Sequence, residues 1–474
     1  MILLLLILLL WGSPSVEAAN HYVLAGGGAG TKDGSDWSNA CDDFTGSCAV
    51  ASLTRGDTYY VAGGVTYASR TFDTAASGTT LITIQKATGA SHGTDTGWLA
   101  SYGTSVAAWG VLTFNTSYWT FDGSSGGGPG AWTTGHGFTF SSAACDSSSF
   151  ISLYDAMTGF TANHIAFSQT GNVDVCSPGG SGFYQVGILS NSTFGYNYFS
   201  NLGGLPWGFR HGSGNIFQYN YVGHICGESV FDVNWHCEAI VIHNMDDIHF
   251  RWNFFTECPS SGCFVMNATL ASDVADSVRI YGNTFLSGGP GTTGVPIACN
   301  SQHAANWRIF NNTAVGISTN IISGDCVRDA GNLAYNNILY NGSAVSSFLT
   351  GITHDYNYYS KDPAISCQMS SGANENVCVE CSGGCDTITA TTDPFVNSSG
   401  VTPESFRLTA AIAGNPGTDV CALDACTGEK KYNLDAFGVG RGNGGVWDRG
   451  AYSLIRASTT IGPGVTLWGG VTLR

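Results

Sequence analysis

Charge is scarce in this chain. Asp, Glu, Lys and Arg together make up 11% of its 474 residues, and Lys occurs only at 32, 86, 361, 430 and 431. The balance is acidic, with 17 Lys and Arg against 34 Asp and Glu and a formal net charge of −17. A polyanion needs a basic face, so the charge balance argues against nucleic acid and anionic membrane surfaces as partners. Acidic polysaccharide is disfavoured on the same ground unless Arg side chains or bound calcium neutralise a site locally. Long apolar runs are also lacking. Ile2 to Trp11 is too short to span a bilayer, which takes about 20 apolar residues, and no later run is long enough, so membrane insertion is not expected.

The opening MILLLLILLLWGSPSVEAAN has no basic flank, yet nine of its first ten residues are Leu or Ile, and Val16 and Ala18 are placed for a signal-peptidase cut. Residues 1–18 therefore read as a signal peptide, and the mature protein is expected to be secreted. Sixteen Cys, an even number, fit an oxidising compartment. Close pairs at Cys41/Cys48, Cys258/Cys263 and Cys421/Cys426 would clip short loops, and Cys378, Cys381 and Cys385 read as loop disulfides in preference to a zinc knuckle. With 65 Gly and little charge, the surface is made of Ser, Thr, Asn and Gly.

A pattern of apolar-x-x-Asn-x-apolar recurs along the chain. Phe194/Asn197/Phe199, Phe217/Asn220/Val222, Phe250/Asn253/Phe255, Ile280/Asn283/Phe285 and Ile309/Asn312/Ala314 match it, as does Phe160/Asn163/Ile165 before them. Leu333/Asn336/Ile338 is a looser copy, and Asn357/Tyr359 a degenerate one. The spacings, 34, 23, 33, 30, 29, 24 and 21 residues, vary too much for a rigid helical repeat. Alternation in SVRIYGNTF and NWRIFNNTA is the period of short strands. One Asn per coil suits a tight bend, because Asn tolerates left-handed backbone and its amide can bond to the coil above or below. Stacked coils would carry an internal Asn ladder flanked by Phe, Ile and Val.

In this succession of coils the chain resembles right-handed parallel β-helix proteins of the pectin-lyase-like superfamily. HYVLAGGGAGTKDGSDW and RGDTYYVAGGVTY are similar to that family's opening segments, and DPFVNSSGVTPESFRL and DAFGVGRGNGGVWDRGAY to its ending. The resemblance implies an all-β solenoid of about ten coils with N- and C-terminal caps. It divides the chain into a signal peptide (1–18), an N-terminal cap and first coils (19–110), a β-helix core (111–392), a C-terminal capping segment (393–454) and a tail of unknown role (455–474). Within this frame the Arg55-Gly56-Asp57 triplet reads as part of a structural segment and not as an adhesion motif.

Between Arg210 and Arg251 ionisable groups are about twice as dense as the chain's average. His211, His224, His236, His243 and His249 stand there among Glu228, Asp232, Glu238, Asp246 and Asp247. Acid–base chemistry needs groups that titrate near working pH, so this stretch is the candidate site. His236, Glu238, His243, His249 and Arg251 are the candidate catalytic residues. Asp246, Asp247, Arg279 and Arg308 are the candidate substrate contacts. Ile248 and Phe250 are expected to point inward, which places His249, Arg279 and Arg308 in an outward column at about 4.8 Å per coil. HCEAI also resembles the "HxDGI" segment common among such β-helices, with Glu238 where Asp is usual, and the same polar residues would serve equally as turn caps.

A β-eliminating lyase needs a base beside a neutralised uronate carboxylate. No Lys lies in the central coils, so His243, His249, Arg251 or Arg279 would have to serve. A glycosidase needs two carboxyls. The NTD, DD, GHG and RIK set of the polygalacturonase-like members is incomplete here, the RxPxxR of pectate lyases is absent, and His236, Glu238 and His243 match no standard metal motif. The expected function is binding and cleavage of polysaccharide, of lyase or glycoside hydrolase type, with calcium possible. The alternative is a noncatalytic extracellular structural or adhesion protein.

Overall fold

The computed structural model describes residues 18–176, 180–225, 238–257, 262–266, 275–287, 296–299, 304–317, 322–323, 330–342, 352–361, 394–409, 417–442 and 447–454. The proposed signal segment up to residue 17, His236, Cys258, the three cysteines at 378, 381 and 385 and the tail 455–474 lie outside the described residues.

Strands of two to seven residues cannot bury an apolar face alone, but stacked coils share one core. Three parallel sheets result. Among the described residues sheet A has thirteen strands, sheet B eleven and sheet C eleven, with a further pair formed by Ala275–Asp276 and Ala304–Ala305. The chain runs from A to B to C and returns to A one coil further on. His249–Arg251 (A), Phe254–Phe255 (B) and Phe264–Met266 (C) thus pair in parallel with Ile216–Gln218, Tyr221–Val222 and Ile240–Asp246 of the coil before. Parallel crossovers of this kind are right-handed, and the fold is the expected right-handed parallel β-helix. Side chains from corresponding positions stack inside, as Phe194, Phe217, Phe250, Ile280 and Ile309 do from sheet A, all fully buried.

The Asn ladder stands at the bend between sheets A and B. Asn253 Nδ2 donates to the Phe217 carbonyl at 3.0 Å and to Asn283 Oδ1 at 3.0 Å, while its own Oδ1 accepts from Asn220 N and Nδ2 at 3.1 and 2.9 Å. The rungs are Asn197, Asn220, Asn253, Asn283, Asn312, Asn337 and Asn357, all buried.

Two expected rungs move. Asn163 pairs with Gly195, not with Asn197, and the ladder position of its coil is held by Ile165, whose N–H donates to Asn197. The match was two residues out of register, and a slip of two keeps every side chain on its own face, so alternation could not reveal it. In LAYNNIL the rung is Asn337; Asn336 is the bend residue before it, at φ 59°. There Ala334 and Leu339 face inward, and Ile338 is apolar for another reason: the C-terminal segment covers it from outside.

The left-handed position is likewise one residue earlier than expected. Tyr196, Tyr219, Trp252 and Tyr356 hold it with φ between 55 and 58°. Left-handed backbone costs these residues about 1–2 kcal/mol each. Stacking of Tyr196 on Tyr219 (4.7 Å) and of Tyr219 with Trp252 (4.9 Å) returns a comparable amount, about 0.5–1.5 kcal/mol per pair.

Disulfides join Cys41 to Cys48 and Cys421 to Cys426, as the spacing suggested, and Cys145 to Cys176. The RGD triplet is structural: Arg55 donates to the carbonyls of Thr74, Ser117 and Tyr118, and Asp57 is buried and bonded to Ala19 N and His21. The described parts of the C-terminal segment lie over sheets A and B. Phe406 meets Phe254, Glu404 accepts from Trp132 Nε1, the Tyr452 hydroxyl bonds Thr284, and Asn336 exchanges two hydrogen bonds with Thr418.

A polar tie spans three coils beside sheet B. His224 Nδ1 lies 2.8 Å from Glu257 and Nε2 2.7 Å from Asp174. The hydrogen bond to Glu257, then the Glu257 charge and Asp174, outweigh burial and raise the imidazole pKa to about 9.

Two outcomes follow. Asn253→Ala should destabilise by about 1–3 kcal/mol, because it leaves buried amide partners unpaired; denaturation checks this, and a variant as stable as wild type would remove the ladder from the stability argument. The His224 tie has a folded pKa above the unfolded value, so its stabilisation is fully present below about pH 6.5 and fades as pH rises through about 9. His224→Gln should therefore melt below wild type at pH 6, and the two should converge by about pH 10.

Candidate functional site

The candidate residues fall on two different faces of the solenoid. His243 lies on strand Ile240–Asp246 of sheet C, whereas His249 and Arg251 lie on the next strand, in sheet A. A bend at Asp247 (φ 48°) separates them, so the density of charge along the sequence does not become one cluster in space.

On sheet A the outward column forms in the expected register, His249 beside Arg279 beside Arg308. It is not an open surface. The segment around Asp424–Tyr432 covers it, and Asp424 stands 3.5 Å from Arg279 and 3.7 Å from Arg308 while accepting from Lys430 and Tyr432 at 2.6 and 2.8 Å. Arg279 also donates to Asp247 at 2.5 Å. Arg251, 5% exposed, donates to Gln218 Oε1, to the Tyr281 hydroxyl at 3.1 Å and to both the carbonyl and carboxylate of Glu429. Burial pushes the His249 imidazole down, and contact with His249, followed by the Arg279 charge, holds Asp247 below the usual carboxylate range. In this arrangement the column binds the chain's own C-terminal segment.

Sheet C presents a different set. The pairs Phe209–Ile242 and His211–Asn244 place Arg210 beside His243 on adjacent coils. Arg210 is exposed, His243 is half-buried, and the Arg210 guanidinium donates to the Tyr184 hydroxyl of the preceding coil at 3.2 Å. Buried Gln185 fixes this geometry from below, accepting from Arg210 N and donating to the His211 carbonyl. In the row next to Tyr184 the outward side chains are small and flat: Gly208, Val241, Val265 and Ala298 follow one another in register. Toward the other end, Tyr154, Val186 and Ile188 are each about half exposed. Asp246 is exposed at the end of the His243 strand and accepts from Asp276 N, and burial raises its carboxyl pKa. Glu238 sits just before the same strand, buried to 1% exposure, where it does not reach the outer surface.

Tyr184 is not among the residues that sequence singles out, and Arg210 stands there only as one of many ionisable groups between 210 and 251. For Arg210 a signal existed, since it is an Arg in strand alternation within GFRHG, two residues before Gly212. Tyr184 carries no such mark; only the coil-to-coil register brings it to Arg210. Among the described residues no three His, Cys, Asp or Glu side chains converge to hold a metal ion.

No protein-family model matches the sequence, and no curated protein matches it. Among solved structures the chain is similar to the GH136 lacto-N-biosidase of Eubacterium ramulus, at 11% identity, with 76% of this chain and 68% of that one covered and a TM-score of 0.33. It is similar also to an alginate lyase of Paenibacillus sp. str. FPU-7, at 12% identity, 70% and 93% coverage and a TM-score of 0.28. A third is the A-module of the mannuronan C-5 epimerase AlgE6 of Azotobacter vinelandii, at 11% identity, 76% and 89% coverage and a TM-score of 0.18. Scores this low transfer no residue and no chemistry, and the fold rests on the sheets themselves.

Proposed function

We infer that this chain is a secreted β-helix protein of the pectin-lyase-like kind that binds an acidic polysaccharide across the outer face of sheet C and cleaves it by β-elimination. The observation that carries the reading is the Tyr184–Arg210 pair beside His243, a phenol, a guanidinium and an imidazole on adjacent coils. The described C-terminal segment covers the cationic column of sheet A and the aromatic part of sheet B, which leaves sheet C as the face on which a phenol, a guanidinium and an imidazole stand together. A hydrolase would need two carboxyls facing one bond, and this row does not supply them.

In the proposed reaction Arg210 pairs with the uronate carboxylate and stabilises the negative charge that develops on it. His243 takes the proton from the carbon beside that carboxylate. The bond from the adjacent carbon to the glycosidic oxygen breaks, Tyr184 gives its proton to that oxygen, and a carbon–carbon double bond remains on the new non-reducing end. Glu238 and Asp246 position the His243 strand at its two ends. Arg251, Arg279 and Arg308 hold the C-terminal segment, Asp247 pairs with Arg279 and His249 packs buried beside them, and none of the five touches polymer. The half-exposed Tyr154, Val186 and Ile188 favour a second reading, a surface that binds polymer without cutting it.

A polysaccharide panel read for ultraviolet-absorbing ends and for new reducing ends separates the readings. Unsaturated reducing products are expected; reducing ends alone would indicate a hydrolase, and binding without products the noncatalytic protein. On the polymer so identified, His243→Ala should lower kcat by about 10²–10⁴-fold with the melting temperature nearly unchanged. Full activity in that variant would remove His243 from the reaction. Turnover that survives a chelator assigns charge neutralisation to Arg210, and turnover lost with it assigns that part to calcium.

The sheet A residues are expected to answer differently. Arg279→Ala removes the guanidinium that Asp424 and Asp247 share, so trypsin should cut after Lys430 and Lys431 faster than in wild type, while kcat stays put. The reverse result, slowed turnover with unchanged proteolysis, would return this column to the active site.

A further inference from the structure

Sheet B carries a groove that the sheet C chemistry does not use. Where residues 398–401 stand off the sheet, a cavity of about 630 Å³ opens beside them. Its floor takes one outward residue from each of five successive coils, Ser200, Gly223, Thr256, Leu286 and Val315. At about 4.8 Å per coil the floor is roughly 19 Å long and runs across the strands. One wall is formed by Tyr198, Tyr221 and the 398–401 loop, which Tyr221 holds by donating its hydroxyl proton to the Val401 carbonyl at 3.0 Å. The other wall is His224, Glu257 and Ser287, with His224 fixed between Glu257 and Asp174.

We propose that this groove is a binding site for a short neutral oligosaccharide lying across the coils, separate from the sheet C face. The lining is two-sided in the way a sugar ring is. The Tyr198 ring, Leu286 and Val315 offer apolar surface for the C–H faces, and Ser200, Thr256, Ser287 and Glu257 offer hydroxyl and carboxylate partners along the edges for sugar hydroxyls. Charge selects against an acidic ligand. Among the described residues no Lys or Arg lines the groove, and the imidazole of His224 sits between two carboxylates. An extended peptide would gain little, because the floor strands already pair with neighbours on both sides and offer no edge for strand addition. The floor is flat between Ser200 and Thr256 because residue 223 is Gly. A Cβ there would meet the Phe199 carbonyl at 3.4 Å, an ordinary contact, so a larger side chain fits the backbone and projects into the groove.

Calorimetric titration of the full chain with cellohexaose, xylohexaose and mannohexaose, and with hexagalacturonate as the charged comparison, tests the proposal. At least one neutral oligomer should bind. Gly223→Phe should weaken it by at least about tenfold, equivalent to about 1.4 kcal/mol, without changing the melting temperature or turnover on sheet C. Ser399→Trp, at an exposed wall position, should weaken the same oligomer and serves if the first variant folds poorly. His243→Ala should bind it as wild type does, so loss of the sheet C reading leaves this one standing. The proposal is overturned if no neutral oligomer binds, if both groove variants bind as tightly as wild type, or if hexagalacturonate competes for the groove.

Discussion

Everything in this molecule depends on coil-to-coil register, and the buried Asn ladder is what holds it. A rung such as Asn283 bonds the rung before it, the rung after it and a strand carbonyl one coil back, so its amide is satisfied only when three coils are aligned. A slip by one residue would turn the Phe and Ile stack outward and leave buried amides unpaired. Alternation of apolar side chains permits shifts of two, and the ladder does not. Apolar stacking thus supplies most of the driving force for the solenoid, while hydrogen bonding selects which of the allowed alignments forms.

Once register is set, the outer faces are set too, and the chain uses them differently. On sheet A a column of cationic side chains repeated at coil spacing would repel itself in the open. Here Asp424, together with Lys430 and Tyr432, lies over it and turns the column into a binding site for the protein's own C-terminal segment. On sheet B aromatic side chains meet Phe395 and Phe406 of the same segment. Sheet C keeps its polar side chains toward solvent at the Tyr184–Arg210–His243 row.

This division explains why the candidate site was only partly legible. The column of His249, Arg279 and Arg308 followed from strand alternation and was correct as geometry. Its burial was not legible, because the covering residues lie over a hundred positions further along the chain and no local pattern connects Asp424 to Arg308. His243 and His249 are six residues apart and look like partners, yet one bend at Asp247 sends them to different sheets. Tyr184 and Arg210 are 26 residues apart and look unrelated, yet one coil of the solenoid brings them to hydrogen-bonding distance. Proximity along a β-helix is measured in coils, and the variable coil length hides it from any fixed spacing.

The amino-acid sequence alone determined the fold class, most of the ladder and the inward faces, because these rest on alternation and on a residue type that recurs once per coil. Only the tertiary structure decided that Asn337 and not Asn336 is a rung, which cations are sequestered, and which face keeps a phenol, a guanidinium and an imidazole together. Those outcomes depend on contacts between distant segments, above all the return of the C-terminal residues over sheets A and B. Such contacts are decided by the shape of the stacked surface, which exists only after the coils have assembled.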